Sequence, residues 1–194
     1  MAGAPPSPVL RVRTAVADDI PGIVRCGADL LTEDAAARDP RVDPGWVLRE
    51  GRAAFAATLE DPACLLLVAV RAGGAQGTGR LPAEGGQAQA DAVAGYAIGA
   101  LSEPVGVLPI RSAVLRALYV APEHRGAGTG ARLTAEFFSW ARAKGAVRAE
   151  VNAYTANEDG LRFYRRQGFA PRAVRLDLDL SDADSAAPAP PSYP

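Results

Sequence analysis

A strand, a glycine-rich loop and a helix follow one another past the middle of this chain, and this succession restricts its fold most. An apolar run of strand length ends at Val120, and an amphipathic helical pattern begins near Gly128. The connection includes the stretch Arg125-Gly126-Ala127-Gly128-Thr129-Gly130. Glycine tolerates positive φ angles, and the first amides of a helix have no internal hydrogen-bond partner. The sequence therefore predicts an anion-binding loop, suited to a phosphate or pyrophosphate.

The loop fits more than one nucleotide-binding pattern. It lacks the Gly-Lys-Ser/Thr ending of a P-loop, which argues against hydrolysis of a nucleoside triphosphate. Gly126, Gly128 and Ala131 match the dinucleotide fingerprint G-x-G-x-x-G/A, with Glu150 at a suitable distance downstream. That fingerprint belongs at the first strand–helix turn of a repeated βαβ array, whereas this loop lies past mid-chain. A dinucleotide-binding protein stays an alternative, as does a glycine-rich turn without a ligand.

Hydrophobic periodicity along the rest of the chain predicts an α/β fold. Alternating or continuous apolar runs indicate strands, and apolar residues at helical spacing indicate helices. The predicted order is β-α-α-β-β-β-α-β-α-β, with a mixed central sheet flanked by helices. The last strand is predicted from a regular alternation that places apolar residues at Val174, Leu176, Leu178 and Leu180.

Both ends of the chain and one internal segment lack the residues that build a core. Residues 1–8 are rich in proline, and residues 181–194 consist mostly of Ser, Asp, Ala and Pro. We predict that both ends are disordered and that residues 9–180 form a single domain. Residues 72–91 are rich in glycine and hold almost no large apolar side chain, which predicts a flexible insertion.

Composition argues against several functional classes. The net charge is −1, so the sequence shows no excess of basic residues of the kind that binds nucleic acid or an anionic membrane surface. One histidine and two cysteines offer neither a metal-ligand spacing nor a disulfide framework. No apolar run approaches membrane-spanning length, and the first residues show no signal-peptide core. We therefore expect a cytoplasmic protein with no metal, no nucleic-acid partner and no membrane association.

Two motifs make the sequence resemble one superfamily. The loop has the pattern R-x-x-G-x-G, which is similar to the acyl-CoA pyrophosphate loop of the GNAT N-acetyltransferases. Residues 157–169 resemble the second signature of that superfamily, N-x-x-A-x-x-F-Y-x-x-x-G-F, with Gly160 where alanine is usual. The predicted order of elements is also that of the superfamily. The resemblance covers residues 9–180 and implies the acyl-CoA N-acyltransferase fold.

The resemblance implies a role for each matching position. Loop amides would bind the CoA pyrophosphate, and the end of the preceding strand would pair with the pantetheine arm and polarise the acetyl carbonyl. Asn157 matches a residue that contacts the CoA arm, and Tyr164 matches the general acid that protonates the departing thiolate. The alternatives are that Asn157 only caps the helix that follows it and that Tyr164 is only a half-buried aromatic with a local hydrogen-bond partner. The residues implied in cofactor binding are Leu118, Tyr119, Val120, Arg125, Gly126, Ala127, Gly128, Thr129, Gly130 and Asn157.

The reaction also requires a neutral amine, because only the free base attacks a thioester. Neutralising an amine at pH 7 costs about 4.6 kcal/mol for a pKa near ~10.4, and about 1.4 kcal/mol for a pKa near ~8. Some members of the superfamily place a carboxylate on the strand before the loop, where this chain has Val114. Others use a glutamate on the next strand, which makes Glu150 the candidate base and a catalytic residue beside Tyr164. A solvated charge on the strand face is the alternative for Glu150.

For several polar and charged residues near these motifs, the sequence predicts mainly exposure to solvent or a loop. Asp29, Glu33 and Asp34 lie near the end of the first predicted helix. Attraction of a cationic amine is one role for them, and solvation, which is usual for charged side chains at helix ends, is the other. The polar stretch at residues 32–43 predicts a loop. His124, beside the glycines, is expected to face water.

The resemblance implies an N-acetyltransferase that moves the acetyl group of acetyl-CoA, its cosubstrate, to a primary amine by direct attack in a ternary complex. Neither a cysteine nor a Ser–His pair in the sequence suggests a covalent acyl-enzyme. The acceptor partner would be a small-molecule amine or a protein amino group, and a homodimer is left open. The alternative is a non-catalytic acyl-CoA-binding or regulatory module of the same fold.

Overall fold

The structure is a computed structural model, and it describes residues 10–71, 93–178 and 180. The predictions of disorder at residues 1–8 and 181–194, and of a flexible insertion at residues 72–91, concern residues outside this description. Within the described residues, no helix is long and apolar enough to cross a membrane.

The described residues form a mixed five-stranded sheet flanked by four helices. The strands are β1 (Leu10–Thr14), β2 (Cys64–Arg71), β3 (Val93–Ser102), β4 (Ser112–Val120) and β5 (Arg148–Val151). The helices are α1 (Ile20–Leu30), α2 (Trp46–Glu60), α3 (Thr129–Ala143) and α4 (Glu158–Arg166). Neighbouring strands are antiparallel from β1 to β4, and β4 pairs with β5 in parallel. The predicted order is confirmed up to α4.

Two apolar clusters cover the two faces of the sheet. One face packs against α3, through Leu133 and Phe137. The other packs against α1 and α2, through Ile23 and Phe55. Because β2 is buried on both faces, its side chains are apolar at nearly every position, as its continuous apolar run predicts.

The strands β4 and β5 separate halfway along β4. They pair only between Ser112–Leu115 and Arg148–Val151, and β4 then continues to Val120. The register of β4 against β3 shifts at this point, which leaves Arg116 as the extra residue of a β-bulge. Beyond the bulge, no strand in the described part of the chain pairs with the outer edge of β4. The outer edge of β4 is therefore unpaired along its last residues, and we refer to the space beside this edge as the cleft.

The first helix extends further than the sequence predicts. After Leu30 it continues as a π-helical turn, Leu31–Ala35, in which the Ala36 amide donates to the Leu31 carbonyl at 2.9 Å. The predicted loop at residues 32–43 is therefore wrong at its start. Short π-helical turns are frequent at functional sites.

The predicted last strand is wrong. Residues 170–178 form neither helix nor strand, and Val174 and Leu176 are 79% and 88% exposed. Alternation alone does not make a strand, because a strand also requires a neighbouring backbone edge with which to form hydrogen bonds. The last edge of the described sheet is β5, which has only four residues and does not pair with this segment.

A buried carboxylate joins β1 to the start of α1, and this contact gives a stability prediction. Asp19 is 0% exposed and accepts hydrogen bonds from Arg13 at 2.6 and 2.8 Å and from the Val16 amide at 2.8 Å. Hydrogen bonds to charged groups contribute about 1.5–3 kcal/mol, so Asp19→Asn should lower the free energy of unfolding by about 2 kcal/mol. Urea denaturation measures this change.

The adjacent Asp18 provides the matched control for that measurement. Its side chain is exposed, so Asp18→Asn should change the free energy of unfolding by less than about 0.5 kcal/mol. Equal losses in the two variants would contradict a specific role for the buried pair.

Candidate active site

The glycine loop adopts a conformation that two of its glycines make accessible. Gly126 and Gly128 both have φ of 77°, in the left-handed region that other residues rarely adopt. A Cβ atom at either position would meet nothing within 4 Å, so the space beside the loop is open. The loop thus combines a turn that requires glycine with room for a bound group.

Six consecutive amides of the loop and of the first turn of α3 are free. Among the residues that the structure describes, none accepts a hydrogen bond from the amides of residues 126–131. The flanking amides of Arg125 and Arg132 do have partners, the carbonyls of Pro122 and Gly128 at 3.2 and 3.1 Å. The free amides lie at the positive end of the α3 dipole, where an anion is stabilised.

The Arg125 side chain points back along the preceding strand. Its Nε donates to the Val120 carbonyl at 2.8 Å, and its guanidinium pairs with Glu33 at 2.6 Å. The same guanidinium lies 5.5 Å from the centre of the Tyr119 ring, at cation–π distance. The side chain is therefore engaged within the protein.

The end of β4 presents backbone groups to the cleft at alternate residues. The Ala121 amide donates to the Ala94 carbonyl at 2.9 Å. Because every second pair in an antiparallel ladder is hydrogen-bonded, the pair of Tyr119 and Tyr96, two residues along, is hydrogen-bonded as well. The amides and carbonyls of Leu118 and Val120 consequently point away from β3, towards the cleft. Of the three predicted β4 residues, Tyr119 uses its backbone within the sheet.

Tyr164, on α4, lies in an aromatic cluster that packs against the same core as Leu118 and Val120. Its ring packs edge-on against Phe163 and Phe169, at centroid distances of 5.4 and 5.8 Å, and the cluster also contacts the core that α3 covers. Burial, together with the negative charge of Asp34, raises the pKa of Tyr164 to about 12. Within the described residues, no group forms a hydrogen bond with its hydroxyl. Tyr164 is therefore a protonated donor at neutral pH.

Asn157 begins α4 and uses both ends of its side-chain amide. Its Oδ1 accepts from the Gly160 amide at 2.9 Å, as a helix cap does. Its Nδ2 donates to Asp34 at 2.7 Å. A Cβ atom at Gly160 would lie 2.9 Å from this amide, which explains a glycine where the family motif usually has alanine.

Glu150 lies apart from these groups. On β5, its neighbours Ala149 and Val151 pack against the core on the α3 side, so alternation directs Glu150 to the face that carries α1 and α2. The described residues form no hydrogen bond or ion pair with it. The structure thus does not join Glu150 to Tyr164 or to the loop, and its role as a base stays a prediction.

Sequence reasoning did not predict the contacts that the carboxylates of Glu33 and Asp34 make. Solvation is the usual expectation for both, but each contacts a predicted functional segment far away in the sequence: Glu33 contacts Tyr119 and Arg125, and Asp34 contacts Asn157. The separations are 86, 92 and 123 residues, so no local pattern indicates these contacts.

His124 also differs from expectation. It ends a 3₁₀ turn, Pro122–His124, and is only 5% exposed, so the prediction that it faces water is wrong. The turn folds the chain back, with the His124 amide donating to the Ala121 carbonyl at 2.8 Å, and this directs the side chain inward. Within the part of the chain that the structure describes, no group of three or more acidic, histidine or cysteine side chains could hold a metal ion.

A split sheet, a loop of free amides and a phenol beside the open strand define the acyl-CoA N-acyltransferase fold class. The sequence independently matches the family model of the acetyltransferase (GNAT) domain over residues 62–171, more than half of the chain. The chain therefore belongs to the GNAT family of acetyltransferases, and it is a member of a family that transfers acyl groups.

Solved structures share this fold at low sequence identity. A transcriptional regulator from Bacillus halodurans C-125 has a TM-score of 0.62 and 19% identity, covering 88% of this chain and 99% of that chain. The glucosamine-6-phosphate N-acetyltransferase of Arabidopsis thaliana has a TM-score of 0.59 and 10% identity, covering 89% and 99%. An aminoglycoside acetyltransferase from an uncultured soil metagenomic sample has a TM-score of 0.61 and 14% identity, covering 89% and 97%. A search of curated protein sequences finds no match.

Proposed function

We propose that the chain is an acetyl-CoA-dependent N-acetyltransferase that acts on a primary amine by direct attack in a ternary complex. The observation that carries the proposal is the run of six free amides at residues 126–131, beside the open edge of β4. Membership of the GNAT family supports acyl transfer, and the geometry of this site supports CoA as the carrier.

The residues present fit the parts of a CoA ester. The loop amides can donate to the oxygens of a pyrophosphate, and the start of α3 adds a favourable dipole. The amide and carbonyl of Leu118 and the amide of Val120 can pair with an extended amide chain, in the way that an added strand pairs with a sheet edge, whereas the Val120 carbonyl already accepts from Arg125. The pantetheine arm is such a chain, and bound there it would carry the thioester that supplies the acetyl group.

In the proposed reaction, one proton leaves the amine nitrogen and one proton reaches the departing sulfur. A new bond forms between the amine nitrogen and the thioester carbonyl carbon, and the carbon–sulfur bond breaks. Tyr164 donates a hydrogen bond to the departing sulfur and gives it a proton, and the proton lost by nitrogen replaces the one on the phenol. The pKa of Tyr164, raised to about 12, keeps the phenol protonated at neutral pH, so that it can donate a hydrogen bond to the sulfur.

The acceptor in this proposal is a small-molecule amine or a protein amino group. An α-amine with a pKa near ~8 requires about 1.4 kcal/mol to be neutral at pH 7, so it depends little on a base. A lysine-like amine requires about 4.6 kcal/mol, and for such an acceptor Glu150 is the proposed base.

A turnover screen of the wild-type chain tests the function. Acetyl-CoA is mixed with a panel of amines that includes polyamines, amino sugars and peptides with free N-termini, and released thiol is followed colorimetrically. We expect thiol release that depends on one class of amine. Calorimetric titration with CoA and NADP should show binding of CoA and a weaker or undetectable response to NADP.

Two outcomes would contradict the proposal in different ways. Preference for NADP would indicate a dinucleotide-binding protein. Binding of CoA without turnover of any amine would favour a non-catalytic acyl-CoA-binding module.

A further inference from the structure

The π-helical turn after α1 reaches both sides of the cleft. Glu33 accepts hydrogen bonds from the Tyr119 hydroxyl at 3.2 Å and from Arg125 at 2.6 Å. The next residue, Asp34, accepts one from Asn157 at 2.7 Å. Successive side chains on a helical turn point in different directions, so a single turn can contact two separate segments. The turn thus connects β4 and the glycine loop with the start of α4.

In the hydrogen bond between Asp34 and Asn157, the donor and the acceptor are fixed by the chemistry of the neighbouring groups. A backbone amide can only donate and an ionised carboxylate can only accept, so Gly160 and Asp34 together fix the orientation of the Asn157 amide. Arg38 pairs with the same carboxylate oxygen at 2.8 Å and holds it in place.

The contact to Asp34 is made at the start of α4. α4 has nine residues, and its later part packs against the protein through Phe163, near Gly130, and through Tyr164, against Phe169. At its start, the side-chain hydrogen bond to a distant segment is the one from Asn157 to Asp34, which spans 123 residues of sequence. Tyr164 follows Asn157 by about two helical turns and so lies on the same side of α4. A displacement of the start of α4 would therefore displace the phenol.

We propose that Asp34 is a positioning residue for acetyl transfer: through Asn157 it holds the first turn of α4, and thereby the Tyr164 hydroxyl, against the open edge of β4. This inference rests on the proposed function. Burial, and secondly the negative charge of Asp34, raises the pKa of Tyr164.

Steady-state kinetics of Asp34 variants test this role. Asp34→Ala removes the acceptor, and it should lower kcat roughly 10- to 100-fold, because small misplacements of a reacting group cost rate, while the KM for acetyl-CoA changes less than about twofold. Asp34→Asn keeps an oxygen that can accept from Asn157, so it should recover most of kcat. Glu50→Gln, on the exposed side of α2, is the control and should match the wild type.

A reversed pair tests whether the effect passes through Asn157. Asn157→Asp preserves the helix-capping oxygen but sets a second carboxylate against Asp34, and it should lower kcat strongly. Adding Asp34→Asn to that variant restores one donor and one acceptor in the opposite order, and it should recover part of the lost kcat. Circular dichroism of each variant verifies the folded state.

The outcomes separate the two proposals. A wild type that acetylates an amine, together with an Asp34→Ala variant of equal kcat, overturns the role of Asp34 and leaves the function standing. A double variant no faster than Asn157→Asp also overturns the role. A wild type that turns over no amine overturns the function, and the role of Asp34 fails with it.

Discussion

Replacing Tyr164 with phenylalanine should lower kcat roughly 100- to 1,000-fold while the KM for acetyl-CoA changes less than about twofold. The substitution removes only the hydroxyl, and the ring keeps its contacts with Phe163 and Phe169. The sulfur would then leave as an unprotonated thiolate without a hydrogen-bond donor. Steady-state kinetics with the acceptor found in the amine screen measure both constants.

Tyr154→Phe is the matched control for this measurement. Tyr154 lies between β5 and α4, is 38% exposed and has no assigned role in the site. Its substitution should leave kcat within about twofold of the wild type. If Tyr164→Phe retained wild-type kcat, the phenol would not be the proton donor, and water would be the alternative donor.

Placing a carboxylate in the glycine loop should weaken CoA binding about 100-fold. Ala127 is exposed and lies within the run of free amides, so Ala127→Glu brings a negative charge to the proposed pyrophosphate site. Two like charges about 5 Å apart repel by about 3 kcal/mol at an effective dielectric constant of about 20, which corresponds to a factor of about 100 in Kd. Isothermal titration calorimetry measures the change.

Control measurements separate the effect of the added charge on CoA binding from an effect on the stability of the fold. Ala127→Gln has nearly the same size without the charge, and it should bind CoA within a few-fold of the wild type. The carboxylate lies near the positive end of α3, so Ala127→Glu should unfold at an equal or higher temperature than the wild type. Salt near 1 M should reduce the defect, because it screens exposed charges beyond about 3 Å. Equal CoA affinity of the two variants would place the pyrophosphate elsewhere.

Several features of the site could be predicted from the sequence because their causes are local. The positive φ angles of Gly126 and Gly128 require glycine, and the free amides follow from the start of a helix directly after them. The cap at Asn157 likewise depends on residues within one helical turn. The continuous apolar run of β2 reflects burial on two faces, which every strand in the centre of such a sheet shares.

Other features depend on segments that are distant in sequence. Alternation at residues 174–180 predicts a strand, but a strand forms only where the rest of the sheet provides a neighbouring edge, and here the apolar side chains stay exposed. The direction of Glu150 depends on how β5 lies against β4. His124 is buried because a short turn folds it inward, although its sequence neighbours are polar or small.

The sequence by itself determined the order of elements up to α4, the anion-binding form of the loop and the family, because these follow from periodicity, glycine chemistry and motif spacing. Tertiary structure alone decided which strand edge stays open, which face Glu150 occupies and that Glu33 and Asp34 contact the two sides of the cleft. Those contacts join residues 86 to 123 positions apart. Such pairs meet only when the sheet and its flanking helices have packed together, so no local pattern can specify them.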